Sequence, residues 1–281
     1  MSANFDIKYL QPFKGKHSVT EVIFSVYLAN PIINPERFGD LVKKGGGLFE
    51  NFQNFKLLTG VKLDVKFTPQ GTEPVQHNLS KTGNDGFSIE KFKDGKLSWL
   101  INYQPSNSPD RKGDDLLKIH CLDYEDWHSF FEESISLLKT ISAFEDLYIS
   151  GFSLYYLDQF YWNDVNLPEM ECIFKKGSPY LPQLLFDAKS TWNFISNISR
   201  TINQRLIAEN TNIGSNVTLD KRYTIYLFHN ASNIFDQFKK LSQLINETAD
   251  LKTLANDMHT SNKDFLKQTL TSDVQKAINL N

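Results

Sequence analysis

The chain has 281 residues, of which 40% are hydrophobic and 22% charged, and its formal net charge is −3. This composition is typical of a globular protein with a sizeable core and excludes a disordered chain. The small net charge provides no bulk attraction to nucleic acid or anionic membranes, so direct nucleic-acid binding is not expected. No signal peptide or membrane-spanning run is recognisable, and two cysteines, Cys121 and Cys172, cannot form a disulfide framework. We therefore expect a soluble cytoplasmic protein.

The first 70 residues predict two strands around a short helix. Val19–Leu28 is rich in β-branched and aromatic residues, which favour a strand. Asn34 followed by Pro35 predicts a helix start, and the three glycines at 45–47 predict its end. Residues 55–68 alternate apolar and polar side chains, which indicates a long, half-buried strand. Residues 69–85 are polar and rich in Gly and Asn, so they are predicted to form a loop.

Residues 87–103 carry the clearest hairpin signal in the chain. Two runs of aromatic and branched residues flank Asp94-Gly95, a dipeptide that accepts the positive φ angles of a type I′ turn. Continued without a bulge, the register of this turn pairs Glu90 with Trp99 and Phe87 with Asn102. The predicted core face then carries Phe92, Leu97, Trp99, Ile101 and Tyr103.

The middle of the chain predicts a loop, a strand, a helix and a further strand. Residues 104–115 are turn-rich and 116–122 favour a strand. Asp123 is the predicted N-cap of an amphipathic helix over 124–142, with Asp126 three residues on. Tyr148–Trp162 predicts a long strand whose apolar residues occupy both faces toward its end.

The last third of the chain is less regular. Strands are predicted at 170–174, 192–198 and 222–228, while 201–210 fits either a strand or a helix. Helices are predicted from Asn230 or Ser232 to Ile245, across 254–270, and from Ser272.

These elements predict an α+β fold of twisted antiparallel sheets packed on helices. The strand-then-helix order of residues 116–141 recurs in 223–245. Either the chain has two similar strand-strand-helix halves, or the units look alike only because strand-to-helix units follow the same physical rules. The predicted halves are residues 1–165, with the hairpin and the amphipathic helix, and residues 166–281, ending in helices. One continuous domain is the alternative.

Several segments, taken in order, resemble a prokaryotic protein family of sporadic distribution and unknown function. They are Val19 to Phe24, Ser98-Trp99 in the hairpin, Leu154-Tyr-Tyr-Leu-Asp158, and Leu254 with Met258-His259. The resemblance covers most of the chain and departs at 69–85 and 104–115, which are longer and more polar here. It implies no catalytic residues. Sporadic distribution implies horizontal transfer, which is typical of toxin–antitoxin, immunity and anti-phage systems.

No pattern in the sequence predicts a catalytic or ligand site. The six histidines form neither HxxxH nor HExxH, and Walker A, GxGxxG and GxSxG motifs are missing. His120, Cys121 and Asp123 are close enough in sequence for a Cys–His–Asp site. However, adjacent strand residues point to opposite faces, which favours structural roles. We predict no metal and no cofactor, and we favour a protein that is not an enzyme.

Charge is distributed unevenly along the chain. From Asp123 to Glu171 there are eleven acidic residues and one basic residue, Lys139. An acidic face beside aromatic residues fits a basic protein partner, while a solvated helix face is the alternative. The candidate interaction surface consists of Glu125, Asp126, Glu132, Glu133, Asp158 and Asp164.

Two functions are compatible with these features. The first is a non-enzymatic interaction or regulatory protein of a bacterial multi-component system: an antitoxin-like, immunity or anti-phage accessory subunit with a protein partner and the option of a homo-oligomer. The second is a ligand-sensing or enzymatic domain with a cavity between sheet and helix. That cavity is expected to be lined by Trp99, Tyr103, Tyr155 and His229.

Overall fold

A computed structural model describes residues 7–15, 17–44, 51–66, 76–105, 115–164, 166–187, 191–218 and 222–280, without the side chains of 41, 44, 59–66, 76–85 and 248. These residues form one twisted, ten-stranded antiparallel sheet. Its strands are β1 (Leu10–Pro12), β2 (Val19–Leu28), β3 (Asn54–Lys66), β4 (Gln76–Lys93), β5 (Lys96–Gln104), β6 (Asp115–Cys121), β7 (Tyr148–Trp162), β8 (Asn193–Ile202), β9 (Arg205–Val217) and β10 (Tyr223–Lys240).

The helices pack on one face of this sheet, which confirms the predicted α+β class. They are α1 (Glu36–Lys44), α2 (Trp127–Ser142), α3 (Met170–Ile173), α4 (Leu241–Asn246), α5 (Thr248–Thr269) and α6 (Ser272–Ala277), with 3₁₀ turns at Ile7–Tyr9 and Gln183–Asp187. Among the helices of the described residues, none has the length and apolar character needed to cross a membrane.

The sheet is built outward from a central pair, β2 and β7. Ser25 lies opposite Ser153 in this pair. From β2 the order outward is β6, β5, β4 and β3, and from β7 it is β10, β9 and β8. In the first half of the chain, β2 pairs with β6, the last strand of the β3–β6 meander, and helix α2 follows. In the second half, β7 pairs with β10, the last strand of the β8–β10 meander, and helix α4 follows. Because β7 pairs with both β2 and β10, the sheet continues across the predicted boundary at residue 165, and duplication of the two sides stays a prediction.

The predicted hairpin is present, but its register contains a bulge. Asp94 and Gly95 form the turn with φ angles of 53° and 73°, as a type I′ turn requires. Beyond Phe92 and Leu97 the register shifts by one residue. Glu90 therefore lies opposite Leu100 instead of Trp99. The shift moves Glu90 onto the face away from the helices, where a carboxylate stays in contact with water.

The C-terminal third contains most of the corrections to the predicted elements. β10 runs to Lys240 and pairs with β7 up to Ile234 and again at Lys239 and Lys240, so the helix predicted from Asn230 or Ser232 begins only at Leu241. Residues 201–210 belong to the β8–β9 hairpin, whose turn residues Asn203 and Gln204 both have positive φ. The strand predicted at 170–174 is instead the short helix α3.

The N-terminal corrections are smaller. The N-cap of α2 is Asp126, which accepts a hydrogen bond from the Ser129 backbone N–H at 2.9 Å, so the cap and the helix start lie three residues later than predicted. Part of the predicted loop at 69–85 is strand, since β4 begins at Gln76. The predicted glycine stop at 45–47 and residues 106–114 lie outside the described residues.

The core lies between the sheet and the helices. Strand residues alternate, so that Val22, Phe24 and Val26 of β2 face α2, and Phe24 stacks on Phe152 of β7 with ring centroids 5.5 Å apart. Full burial of such a side chain stabilises the fold by roughly 1.5–3 kcal/mol. A second cluster, around Phe160 and Phe265, lies under the β7–β10 side.

Candidate interaction surface

One part of the sheet face that points away from the helices carries no charge. It consists of the odd-numbered residues 153–161 of β7 and 193–201 of β8, and the even-numbered residues 206–216 of β9 and 224–232 of β10, which the registers place on one side. None of these residues is Asp, Glu, Lys, Arg or His. We call this surface the neutral face. In a chain with 22% charged residues, a charge-free face across four strands is a distinctive feature.

The central part of the neutral face is aromatic. The rings of Tyr155 and Phe228 meet edge to face with centroids 4.4 Å apart. Tyr161 lies further along β7, with Phe13 at 4.9 Å and the Arg222 guanidinium 4.4 Å from its ring centroid. The tyrosines are half-buried, while Phe13 is 45% exposed. These rings give the surface rigid apolar area with polar tips.

Toward the edge of the sheet the neutral face is rich in amides. Asn230, Asn210 and Asn197 lie side by side on β10, β9 and β8. The Asn210 Nδ2 donates to the Asn197 Oδ1 at 2.5 Å. Exposed aliphatic residues flank this row, with Ile195 at 62% and Leu206 at 63% exposure. Amides both donate and accept hydrogen bonds, so this region suits polar contacts that need no net charge.

The same side of β2–β6 is charged. His120 Nδ1 and Glu21 Oε1 are 2.7 Å apart, and Lys56 Nζ lies 2.5 Å from Glu90 Oε1. Lys118 lies on this side opposite Ser25. The uncovered side of the sheet is therefore divided into a charged part and the neutral face.

The structure does not bring the six predicted acidic residues together. Asp158 is only 1% exposed, so its assignment to an interaction surface was wrong. It lies between Tyr156 and Phe160 in the alternation of β7, and all three side chains point toward the helices. Its carboxylate accepts a hydrogen bond from Ser18 Oγ at 2.5 Å. Asp164 lies just beyond the end of β7 and accepts from the Asn166 backbone N–H at 2.9 Å.

The other four acidic residues lie at the start of α2, close to lysines from elsewhere in the chain. Glu133 is 3.9 Å from Lys91 Nζ, and Glu132 is 3.7 Å from Lys252 Nζ. The Lys93 Nζ lies 3.8 Å from Glu125, while Asp126 caps the helix. These intramolecular pairs reduce the negative potential that a basic partner would meet. The acidic surface stays a prediction.

A buried polar cluster lies beneath the neutral face. Glu209 of β9 is 3% exposed and accepts a hydrogen bond from Arg200 Nε at 2.7 Å and another from Ser261 Oγ of α5. Arg200 Nη2 also donates to the Tyr180 hydroxyl at 2.8 Å. Burial alone would raise the pKa of Glu209, but its contacts with His229, Ser261 and Arg200 outweigh this and lower it.

His229 completes this cluster as a neutral ring. Its Nε2 is 3.8 Å from Glu209 Oε1, which is too long for a hydrogen bond, and it stacks on Phe265 with centroids 5.1 Å apart. Burial lowers its pKa, against the opposing effect of Glu209. Among the described residues neither ring nitrogen has a hydrogen-bond partner. With Ser261 and Glu209 nearby, the residue types of a hydrolase are present. However, Ser261 donates to the carboxylate and not to the imidazole, so no activated nucleophile is formed.

The cavity predicted for a ligand-sensing protein is not formed by the residues expected to line it. Trp99 stacks on Phe130, His229 packs on Phe265, and the Tyr103 hydroxyl donates to Asp115 at 2.7 Å. Tyr155 lies on the opposite side of the sheet. In the described part of the chain, no group of three or more His, Cys, Asp or Glu side chains is arranged to hold a metal ion.

The predicted divergence of His120 and Cys121 is also seen. Cys121 is buried on the helix side, where burial raises the pKa of its thiol to about 12, and His120 pairs with Glu21 on the other side. Sequence reasoning missed the neutral face, although β8 and β9 contain a signal for it. Every second residue there is uncharged, which becomes visible once 201–210 is assigned to strands.

Comparison of the chain with protein-family models, with curated proteins and with solved structures gave no significant match.

Proposed function

We propose that the protein is a non-enzymatic interaction component that binds a partner protein through the neutral face. The observation that carries this proposal is that none of the strand residues of the neutral face is charged and that, among the described residues, no helix covers it. The cores of protein–protein interfaces are likewise depleted of charged residues and enriched in aromatic ones. The face comprises roughly 20 residues, which matches the 20–30 residues that each side of a standard interface contributes.

The chemistry of the face specifies the kind of partner. None of its strand residues is Lys or Arg, and the single cation against it, Arg222, stacks on Tyr161, so it lacks the basic patch that nucleic acid binding needs. Without carboxylates it has no complement for a basic surface. The expected partner is a protein whose own contact surface is uncharged, with apolar groups to cover the Tyr155–Phe228 pair and amides or hydroxyls to meet the asparagine row. A role in a bacterial toxin–antitoxin, immunity or anti-phage system is a finer proposal, supported by the sequence resemblance alone.

The test compares the neutral face with the acidic start of α2. Tagged full-length protein is used to capture partners from the native host, and the captured protein is then purified and titrated calorimetrically. Asn230→Lys places a charge at the centre of the neutral face and is expected to weaken binding at least about tenfold, which is about 1.4 kcal/mol. The matched control, Glu125→Lys, also adds a lysine and should leave the affinity unchanged. Weakening by Glu125→Lys but not by Asn230→Lys would refute the proposal in favour of the acidic surface.

A further inference from the structure

Among the described strands, β8 forms an edge of the sheet. It pairs with β9 on one side only, and no other described strand pairs with it. Its ten residues contain no proline or glycine, and the one charged residue, Arg200, is bound to Glu209 beneath the sheet. Long edge strands without such interruptions are templates for pairing with another chain.

The opposite edge of the sheet is protected in the usual way. β3 contains Lys56, Lys62, Asp64 and Lys66 in its sequence. Charged residues on an edge strand discourage the approach of a second strand, and lysines are the most common choice. The protein therefore guards one edge of its sheet and leaves the other unguarded.

The β8–β9 turn determines which backbone groups of β8 point outward. In a two-residue hairpin the residues flanking the turn, here Ile202 and Arg205, exchange backbone hydrogen bonds. Counting back in steps of two, the even-numbered residues of β8 bond to β9. The N–H and C=O groups of the odd-numbered residues 193–201 then point away from the sheet. Their side chains are the exposed residues on the neutral face.

We infer that two copies of this chain pair through β8, antiparallel and around a two-fold axis at Asn197, to form one continuous sheet. This register places Asn197 opposite its own copy and Ile195 opposite Ser199. On the helix side, Phe194 lies opposite Arg200. No like charges oppose each other, and like charges in such positions are destabilising. The odd-numbered residues supply a matched set of backbone donors and acceptors, because an antiparallel strand is complementary to itself across a two-fold axis.

Among possible partners for β8, the distribution of charge best supports a second copy of this chain. Any extended peptide finds the same backbone groups, but the second copy also brings a strand of equal length whose only charged residue, Arg200, is already bound to Glu209. The alternative homodimer through β3 would bring lysines close to one another. The contact involves about ten residues a side, fewer than a standard interface, so we expect a weak dimer whose population depends on concentration.

The test is the mass of the full chain by sedimentation velocity over roughly a hundredfold range of concentration. We expect a shift toward twice the monomer mass of 32.4 kDa. Ser199→Pro removes an outward N–H without removing a bond to β9, so it should leave the fold intact and raise the dimer dissociation constant at least about tenfold. Ser199→Ala keeps the N–H and should dimerise like the wild type.

A second variant covers the case in which proline disturbs the fold. Ile195→Lys keeps the backbone and adds charge at a position that is 62% exposed, and it should also abolish the dimer. Hydrogen exchange should show protection of the outward amides that increases with concentration. A wild type that stays monomeric, protection that appears only with another protein, or a dimer unaffected by both variants would overturn the inference. Asn230→Lys lies two strands from the edge and should leave dimerisation unchanged, so this inference and the proposed partner interface can fail separately.

Discussion

The two halves of the sheet, β2–β6 and β7–β10, differ in where their charged side chains lie. On the side of β2–β6 away from the helices, which we call the charged half, His120 lies 2.7 Å from Glu21 and Lys56 pairs with Glu90. In the neutral half, β7–β10, the strand residues of the neutral face carry no charge, and Arg222 lies against its Tyr161. Yet the buried acidic and histidine side chains of the described residues, Asp158, Glu209 and His229, all lie beneath this half.

This difference shows that the helices are held on the two halves by different chemistry. α2 packs on the charged half through buried apolar residues such as Phe130, Leu137 and Ile141. α5 packs on the neutral half through Phe265 and Leu266, but also through Ser261, whose hydroxyl binds Glu209. Apolar packing tolerates small shifts, whereas directed hydrogen bonds permit one position of a helix. We interpret the polar cluster as the feature that fixes α5 in its position under the neutral face.

The largest expected effect is from Glu209→Gln, which breaks the buried cluster. The amide cannot neutralise Arg200, and removing one partner of a buried ion pair leaves the other uncompensated. Because the Arg200 side chain is 33% exposed and water partly solvates it, the main loss is the charge-assisted hydrogen bonding of Glu209, and we expect the free energy of unfolding to fall by roughly 2–3 kcal/mol, measured by urea denaturation. The control is Glu90→Gln in the charged half, which removes the pair with solvent-exposed Lys56 and should cost less than about 1 kcal/mol. Equal losses in the two variants would contradict the contrast between the halves.

The next largest expected effect is a pH dependence of the free energy of unfolding, which arises from Asp158. Burial raises the pKa of this carboxyl to about 6, against the opposing hydrogen bond from Ser18. The folded protein thus holds this proton more tightly than the unfolded chain, whose aspartates titrate near pKa ~3.9. Stability from this group is therefore fully present below about pH 3.9, falls as the pH rises from about 3.9 to about 6, and stays at the lower level above about pH 6.

Asp158→Asn removes this titration. Relative to wild type, its free energy of unfolding should increase by about 2 kcal/mol between about pH 4 and pH 8, measured by urea denaturation at each pH. His259 acts in the opposite direction, because burial lowers its pKa to about 4 and stability falls as the pH drops below about 6.5. His259 is present in both proteins, so its effect cancels in the difference. A difference that does not change with pH would show that Asp158 is ionised in the folded state without penalty.

The smallest expected effect is from Glu21→Gln in the charged half. The pair with His120 is partly exposed, with 24% and 15% of the two side chains accessible. Its loss should lower the free energy of unfolding by less than about 1 kcal/mol, and thermal unfolding at two salt concentrations measures it. A loss comparable with that of Glu209→Gln would mean that the charged half also depends on its polar contacts.

Several elements were predictable because their causes are local. Asp94-Gly95 specifies its turn through positive φ angles, and Val19–Leu28 forms a strand through its β-branched and aromatic content. A helix was wrongly predicted within what is strand β10, because of the spacing of Ile234 and Phe238. Their spacing fits a helix, but β10 pairs with β7 as far as Ile234 and again at Lys239, and the bonds of this pairing outweigh the local pattern around Phe238, which lies in the irregular stretch between. The bulge beside Phe92 was equally invisible, since it depends on how β4 meets its neighbours.

The sequence by itself determined the α+β class, most of the strands, the helices α2 and α5, and the lack of a recognisable catalytic motif, because periodicity and turn chemistry act over a few residues. Only the tertiary structure decided which side of each strand faces the helices. That choice buried Asp158, joined Glu209 to Arg200 and Ser261, and assembled the neutral face from four strands. These arrangements depend on pairing between residues far apart in the chain, and an individual strand carries no information about its neighbour's register.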